Sequence, residues 1–236
     1  MRFPNVHGII RRRLLVNFRV DREVLQARLP APFAPKLQGG FGIAGICLIR
    51  LEEIRPRRFP KLAGLSSENA AHRIAVTWEG KEGVYIPRRD TGSLLNALAG
   101  GRLFPGEHHR ASFEVQDDGE AISLRMQSLD RAVRVEVAGR TASALPPTSC
   151  FSSIEEVSRF FEGGSLGYSV TTAGRKLDGV ILETRTWKVE PLAIDRVYSS
   201  WFAAFPKGSV EFDCALVMRN IEHEWHAAEE MYVLSS

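Results

Sequence analysis

Polar and apolar residues alternate with a period of two along most of this chain, and stretches with a helical period are short. IIRRRLLVNFRV (9–20) reads as a strand, and DREVLQARL (21–29) as a helix that Asp21 caps and Pro30 ends. GFGIAGICLIRLEEI (40–54) is a long apolar strand. Residues 68–90 form a hairpin with its turn at Gly80 to Gly83, and TGSLLNALAGG (91–101) is a short helix closed by glycines. A second hairpin spans 109–129 around Asp118-Gly119, a favoured hairpin-turn pair, and 131–142 adds a third strand to it. SIEEVSRFFEG (153–163) opens on a capping box, Ser153 with Glu156. Residues 179–192 and 209–225 finish the sheet. The expected fold is α+β and mostly β: one domain over 1–236, a strongly curved antiparallel sheet that closes on itself with short helices outside. Without an alternating βαβ pattern or a Gly-rich phosphate loop, a dinucleotide-binding or P-loop fold is not expected.

Alternation also sorts polar side chains by face. His109, Ala111, Phe113 and Val115 share one face, while Arg110, Ser112, Glu114 and, if the strand extends back, His108 share the other. Glu68, Ala70, His72, Ile74, Val76 and Trp78 form another apolar face, which carries a carboxylate and an imidazole. Arg12 is the odd member of the series Ile10, Leu14, Val16, Phe18, whereas Arg11 and Arg13 join Asn17 and Arg19 on the polar face. An unpaired charge on a core face is costly, so Glu68, His72, His109 and Arg12 are expected to be paired or to line a polar cavity. Convergent polar groups in an apolar cavity are the usual form of a small-molecule site.

Composition narrows the chemistry. The net charge of +3, from 31 basic and 28 acidic residues, is too mild to call for nucleic acid. No apolar run reaches membrane-spanning length and the N-terminus lacks a signal-peptide core, so the expectation is a cytoplasmic protein with no membrane association. Three cysteines at unrelated spacings indicate neither a disulfide framework nor a zinc ribbon, and Cys47 and Cys214 read as buried thiols. Adjacent strand residues point apart, so His108 and His109 are a poor metal pair. HEWH (223–226) lacks zincin spacing and reads as a solvated C-terminal end. No metal and no cofactor is expected, and no GxSxG elbow offers a nucleophile.

Three segments carry a family resemblance. LVNFRVDREVLQARLPAPF (15–33) is similar to the opening of the acetoacetate decarboxylase-like superfamily. GLSSENAAHR (64–73) resembles the region of that family's active-site glutamate, and GGRLFPGEHHRA (100–111) its GREIYGFPKK-type segment. The chain as a whole looks most like the uncharacterised YqjF-like branch. The resemblance implies a cone-like antiparallel barrel around a small cavity. It also implies Glu68 as the family's glutamate and Arg11 as its substrate-binding arginine, whereas periodicity favours Arg12. In the decarboxylases a lysine of the FPKK segment forms a Schiff base. His109 and Arg110 stand at the two lysine positions here, and no lysine occurs between Lys81 and Lys176. Imidazole forms no such imine, so Schiff-base decarboxylation is not expected.

What remains is a small-molecule cavity in which Glu68 and His109 are candidate acid/base residues and Arg11, Arg12, His72 and Arg110 candidate substrate-binding residues. The expected ligand is a small organic molecule, anionic or neutral, such as an oxo acid or enolisable carbonyl compound. A non-catalytic binding or sensing module and a structural or assembly role are the alternatives, and a homo-oligomer is compatible with each of them.

Overall fold

The computed structural model describes residues 6–56, 65–94, 97, 106–171 and 175–233. In chain order the first strands are β1 (Val6–Val20), β2 (Ala34–Pro35), β3 (Leu37–Gln38), β4 (Phe41–Pro56), β5 (Leu65–Trp78), β6 (Lys81–Thr91) and β7 (His108–Asp117). They are followed by β8 (Ala121–Ser128), β9 (Arg134–Thr141), β10 (Leu166–Val170), β11 (Lys176–Thr184), β12 (Glu190–Ser199), β13 (Val210–Ala227) and β14 (Met231–Tyr232). The helices are α1 (Arg22–Gln26), α2 (Ile154–Glu162) and α3 (Ser200–Ala203).

The sheet closes and also branches. A shared wall runs β13-β1-β4-β5-β6. On one side β7, β8, β9 and β12 link β6 back to β13, which makes a closed barrel of nine strands. On the other side β10 and β11 make the same link and close a smaller ring. The branching strands are β6 and β13. Along one edge of β6, residues Val84 to Ile86 pair with β10 and Arg89 to Thr91 with β7, both in parallel. Along one edge of β13, Leu216 and Val217 pair with β12, while His223 to Ala227 pair with β11.

A wall shared by two rings is buried on both faces, so its strands carry apolar residues at both parities. Leu14, Val16, Ile46, Leu48 and Ala70 pack with Leu124, Met126, Val135 and Val137 on the nine-strand side. Leu15, Cys47, Ala71 and Ile86 belong to a second cluster, with Val157, Phe160 and Phe161 of α2 against it. The long apolar run of β4 follows from this double burial.

Several elements differ from the sequence reading. The hairpin turn after β5 is Glu79-Gly80, both left-handed (φ 49° and 75°), because Trp78 pairs directly with Lys81. Gly83 lies inside β6. The expected strand 179–192 is two strands, β11 and the start of β12, which belong to different rings. β10 and α3 were not foreseen. Ser153 caps α2 by accepting from the Glu156 amide at 3.1 Å. The Glu156 carboxylate binds Ser152 and Gln38 in place of the reciprocal capping-box bond. Asp21 precedes α1 without a side-chain cap bond. The helix expected over 91–101 lies mostly outside the described residues.

Candidate functional site

A cavity of about 140 Å³ lies on the smaller-ring side of the shared wall. An apolar hole of roughly 150 Å³ holds a benzene-sized guest, so the volume suits a small organic molecule. Strand register builds its polar floor. One row crosses the wall through Leu15, Cys47, Ala71, Arg89 and His108. Two residues along each strand, Arg13 comes from β1 and Arg73 from β5, so three guanidinium groups and one imidazole line the same space. Ile49, Leu51, Ile86, Val180, Leu182 and Phe161 supply an apolar surround.

Each arginine is held by neutral partners. Arg73 is 4% exposed, donates to Asn17 Oδ1 at 2.6 Å and lies over the Phe161 ring. Asn17 is itself fully buried, anchored to the Leu15 carbonyl. Arg89 donates to Ser169 Oγ at 2.9 Å. Arg13 donates from Nε to Cys47 Sγ at 3.3 Å. Arg73 Nε and one terminal nitrogen of Arg13 are buried without a hydrogen-bond partner. Burial pushes Arg73 and Arg89 down to about 10, so both remain charged near neutrality. Among the described lining residues the only carboxylate is Asp90, which Arg88 grips through bonds of 2.9–3.1 Å. His108 is pushed down to about 3 by burial and then by the charge of Arg89, and is a neutral imidazole at pH 7. Its Nδ1 lies 3.2 Å from the Gly106 carbonyl. No lysine lines the cavity among the described residues.

This corrects the expected assignment of the two histidines. His109 does share a face with Ala111 and Phe113, but that face belongs to the nine-strand barrel, whose interior is packed. The cavity is on the opposite side of β7, where His108 points. His109 is 31% exposed at the rim, with Asp130 at 3.6 Å and Glu107 at 3.9 Å.

The remaining sequence candidates are placed apart from the cavity. A register shift of β1 against β4 between Ile10 and Arg12 leaves Arg11 outside the pairing. Arg11 is half exposed and bonds Glu52 and Asn220. Arg12 is 4% exposed and meets Glu68 at 2.6 Å and Asp117 at 3.6 Å, on the nine-strand side. Burial raises the Glu68 carboxyl despite the opposing charges of Arg12 and Arg50. His72 is fully buried, bonded to Ser199 at 3.0 Å and packed on Trp201. Arg110 is half-buried on the His108 face but does not line the cavity. Glu68, His72, His109 and Arg12 thus share one side of the wall, as alternation requires, and the open space is on the other.

The C-terminal histidines also differ from expectation. HEWH lies in β13, and His223 is buried against Trp225 instead of solvated. Among the described residues no group of three or more His, Cys, Asp and Glu side chains converges as a metal site. No described helix is long and apolar enough to cross a membrane.

The cavity arginines escaped the sequence reading because Arg13 and Arg73 fall on faces that look polar and therefore solvated. The available signal was β4. A strand apolar at both parities is buried on both faces, so the polar face of its neighbours is buried too.

Among solved structures, the chain is similar to acetoacetate decarboxylase from Legionella pneumophila. Identity is 11% and the TM-score 0.60, over 99% of this chain and 88% of that one. It is also similar to an acetoacetate decarboxylase-like enzyme from Sphingomonas wittichii RW1, with 12% identity and a TM-score of 0.64 over 99% and 95%. A third likeness is to the enduracididine biosynthesis enzyme MppR complexed with pyruvate, with 11% identity and a TM-score of 0.62 over 98% and 91%. At these identities the likeness establishes the fold. A comparison with curated protein sequences finds no match. Residues 9–198 match the family model DUF2071, described as an uncharacterized conserved protein, and the chain belongs to that family, carried on an acetoacetate decarboxylase-like fold.

Proposed function

We propose that this protein binds a small organic anion in the cavity between the shared wall and β10–β11. The observation that carries the proposal is the convergence of Arg13, Arg73 and Arg89 in a largely apolar space whose only described carboxylate is engaged by Arg88. Gathering one buried and two half-buried guanidinium groups, each hydrogen-bonded only to neutral partners, is costly, and a bound carboxylate or dicarboxylate would offset that cost. Arginine suits this role because its planar fork matches a carboxylate's two oxygens. The cavity volume limits the ligand to a few heavy atoms.

Binding is favoured over acid/base catalysis by Glu68 and His109. Neither residue lines the cavity, and the imidazole that does, His108, is too weakly basic to be an acid near neutrality. A small oxo acid remains a suitable ligand, since a carboxylate for the arginines and a compact body fit the space. The pyruvate in MppR belongs to that protein, but is of a size and charge that suits the same reading.

Thermal unfolding in oxalate, malonate and pyruvate, each compared with chloride at equal ionic strength, tests the proposal. A ligand at a hundred times its Kd stabilises by about 2.7 kcal/mol, which shifts the melting temperature measurably. The shift should be lost in Arg73→Met. If none of the three anions raises the melting temperature above the chloride control, the anion reading fails.

A further inference from the structure

We propose that Cys47 is a covalent capture site for a small anionic aldehyde or 2-oxo acid held by the cavity arginines. The inference rests on the anion-binding reading above and extends it to an electrophilic ligand. Cys47 stands in the middle of the register row across the wall, between Leu15 and Ala71. Its side chain lines the cavity, and its Sγ accepts from Arg13 Nε at 3.3 Å. Arg73, more than nine-tenths buried, lines the same space with its Nε unpartnered. A carboxylate bound by these groups places the adjoining carbonyl carbon beside the sulfur, and such placement accelerates an addition through proximity.

The other cysteines lack this setting. Cys150 lies beside Asp213, and burial and that carboxylate push its thiol up to about 12. Cys214 is fully buried within the sheet, and burial pushes its thiol up as well. Neither lines the cavity.

The step is an addition with no leaving group. The S–H bond breaks and a C–S bond forms at the carbonyl carbon. The π pair of the carbonyl moves to its oxygen, which takes the proton that sulfur gave up. The product is a hemithioacetal from an aldehyde, or a hemithioketal from a 2-oxo acid, and it reverses when the ligand is diluted. No oxidant or cofactor is consumed.

The probes are glyoxylate labelled with ¹³C at its aldehyde carbon and, as a non-electrophilic anion, oxalate. Carbon NMR of the full-length protein with labelled glyoxylate should show a protein-bound, sulfur-substituted carbon. That signal should vanish in Cys47→Ser and persist in Cys150→Ser. Calorimetry with oxalate on wild type and on Cys150→Ser, whose residue lies outside the cavity, should show the anion bound in both, so that a missing adduct is not a missing site. Cys47→Ala serves as a second variant if the serine variant folds poorly. Iodoacetate should also alkylate Cys47 about tenfold faster than neutral iodoacetamide, with the preference lost in Arg73→Met. Oxalate binding without a sulfur-bound glyoxylate carbon, or an adduct that survives in Cys47→Ser, overturns this proposal alone. Failure of wild type to bind either anion overturns the anion reading, and this proposal with it.

Discussion

Arg89 on β6 stands opposite His108 on β7 in parallel register, and both side chains line the cavity. The guanidinium therefore adds to burial in keeping the imidazole neutral, at about 3. The same direction holds for His72, about 3, and His223, about 4, with burial the largest cause in each. A histidine whose folded pKa lies below its unfolded value near 6.5 contributes stability that is present above 6.5 and lost as pH falls towards the folded value. Each contributes up to about 1.4 kcal/mol per pH unit across that window. The unfolding free energy should fall steeply between pH 6 and pH 4, and His108→Gln should remove one proton's share of the slope. Urea titrations at pH 7, 6 and 5 measure it, and parallel slopes for the variant and wild type would refute the assignment.

The cavity arginines should weaken the empty protein. One buried and two half-buried like charges with only neutral hydrogen-bond partners are unfavourable together, and an apolar replacement of similar volume relieves that cost. Arg89→Met should raise the stability of the ligand-free protein by about 1 kcal/mol while removing the thermal shift given by oxalate. Such opposition between stability and binding is characteristic of a functional site. Chemical denaturation with and without oxalate reads both effects. An Arg89→Met variant that is destabilised and still binds oxalate would place the arginine in a structural role.

Gly45 sets the position of Arg73. It pairs with both Asn17 and Arg73, and a Cβ there would lie 2.5 Å from the Val16 carbonyl oxygen and 3.2 Å from Asn17 Oδ1. The backbone contact cannot yield cheaply, so Gly45→Ala should push β1 and β4 apart and displace the Asn17 acceptor from Arg73. The expected cost is about 2 kcal/mol, in the range for overpacking a close-packed core. Oxalate affinity should fall as well, since Asn17 fixes the guanidinium. Calorimetry and urea unfolding on this one variant test both, and unchanged affinity would show that Asn17 does not position Arg73.

The strand faces were legible in the sequence where no bulge intervenes, so Arg12, Glu68 and His72 share one side of the wall with Leu14 and Val16, whereas Ile10, beyond the bulge at Arg11, packs in the other cluster. The face that carries the cavity was not legible. Alternation assigns residues to two faces and ranks the apolar one as interior, which works for a sheet with one buried face. Here β6 and β13 each pair with two partners along one edge, so the wall has two interiors. The nine-strand side is filled by Leu14, Leu124 and Met126, while Arg13, Arg73 and His108 look solvated only because the small strand LGYSV (166–170) that helps cover them is too short and glycine-containing to stand out. The bulge at Arg11 was hinted at by the conflict between alignment and periodicity, and the register shift before Arg12 is its physical form.

The Arg12–Glu68 pair should govern stability and not ligand binding. Both side chains are largely buried on the packed side of the wall, and Asp117 is shared between Arg12 at 3.6 Å and Arg219 at 2.9 Å. Burial raises the Glu68 carboxyl above its ordinary 4.5. A carboxyl shifted this way contributes stability that is whole below 4.5 and is lost as pH rises through the raised folded value. Arg12→Met removes the cation bonded to Glu68 and leaves the buried carboxylate with only the charge of Arg50 to oppose it, which at pH 8 should cost about 3 kcal/mol. The cost should shrink at pH 5, where Glu68 takes up a proton more readily than in wild type, since its bonded counter-charge is gone. Glu68→Gln should lose less stability than Arg12→Met at pH 8, because the amide still accepts from Arg12. Oxalate binding should be unchanged in both variants. Urea unfolding at the two pH values and calorimetry at pH 8 decide the matter. A loss of oxalate affinity in Glu68→Gln with an intact fold would move this carboxylate into the binding site.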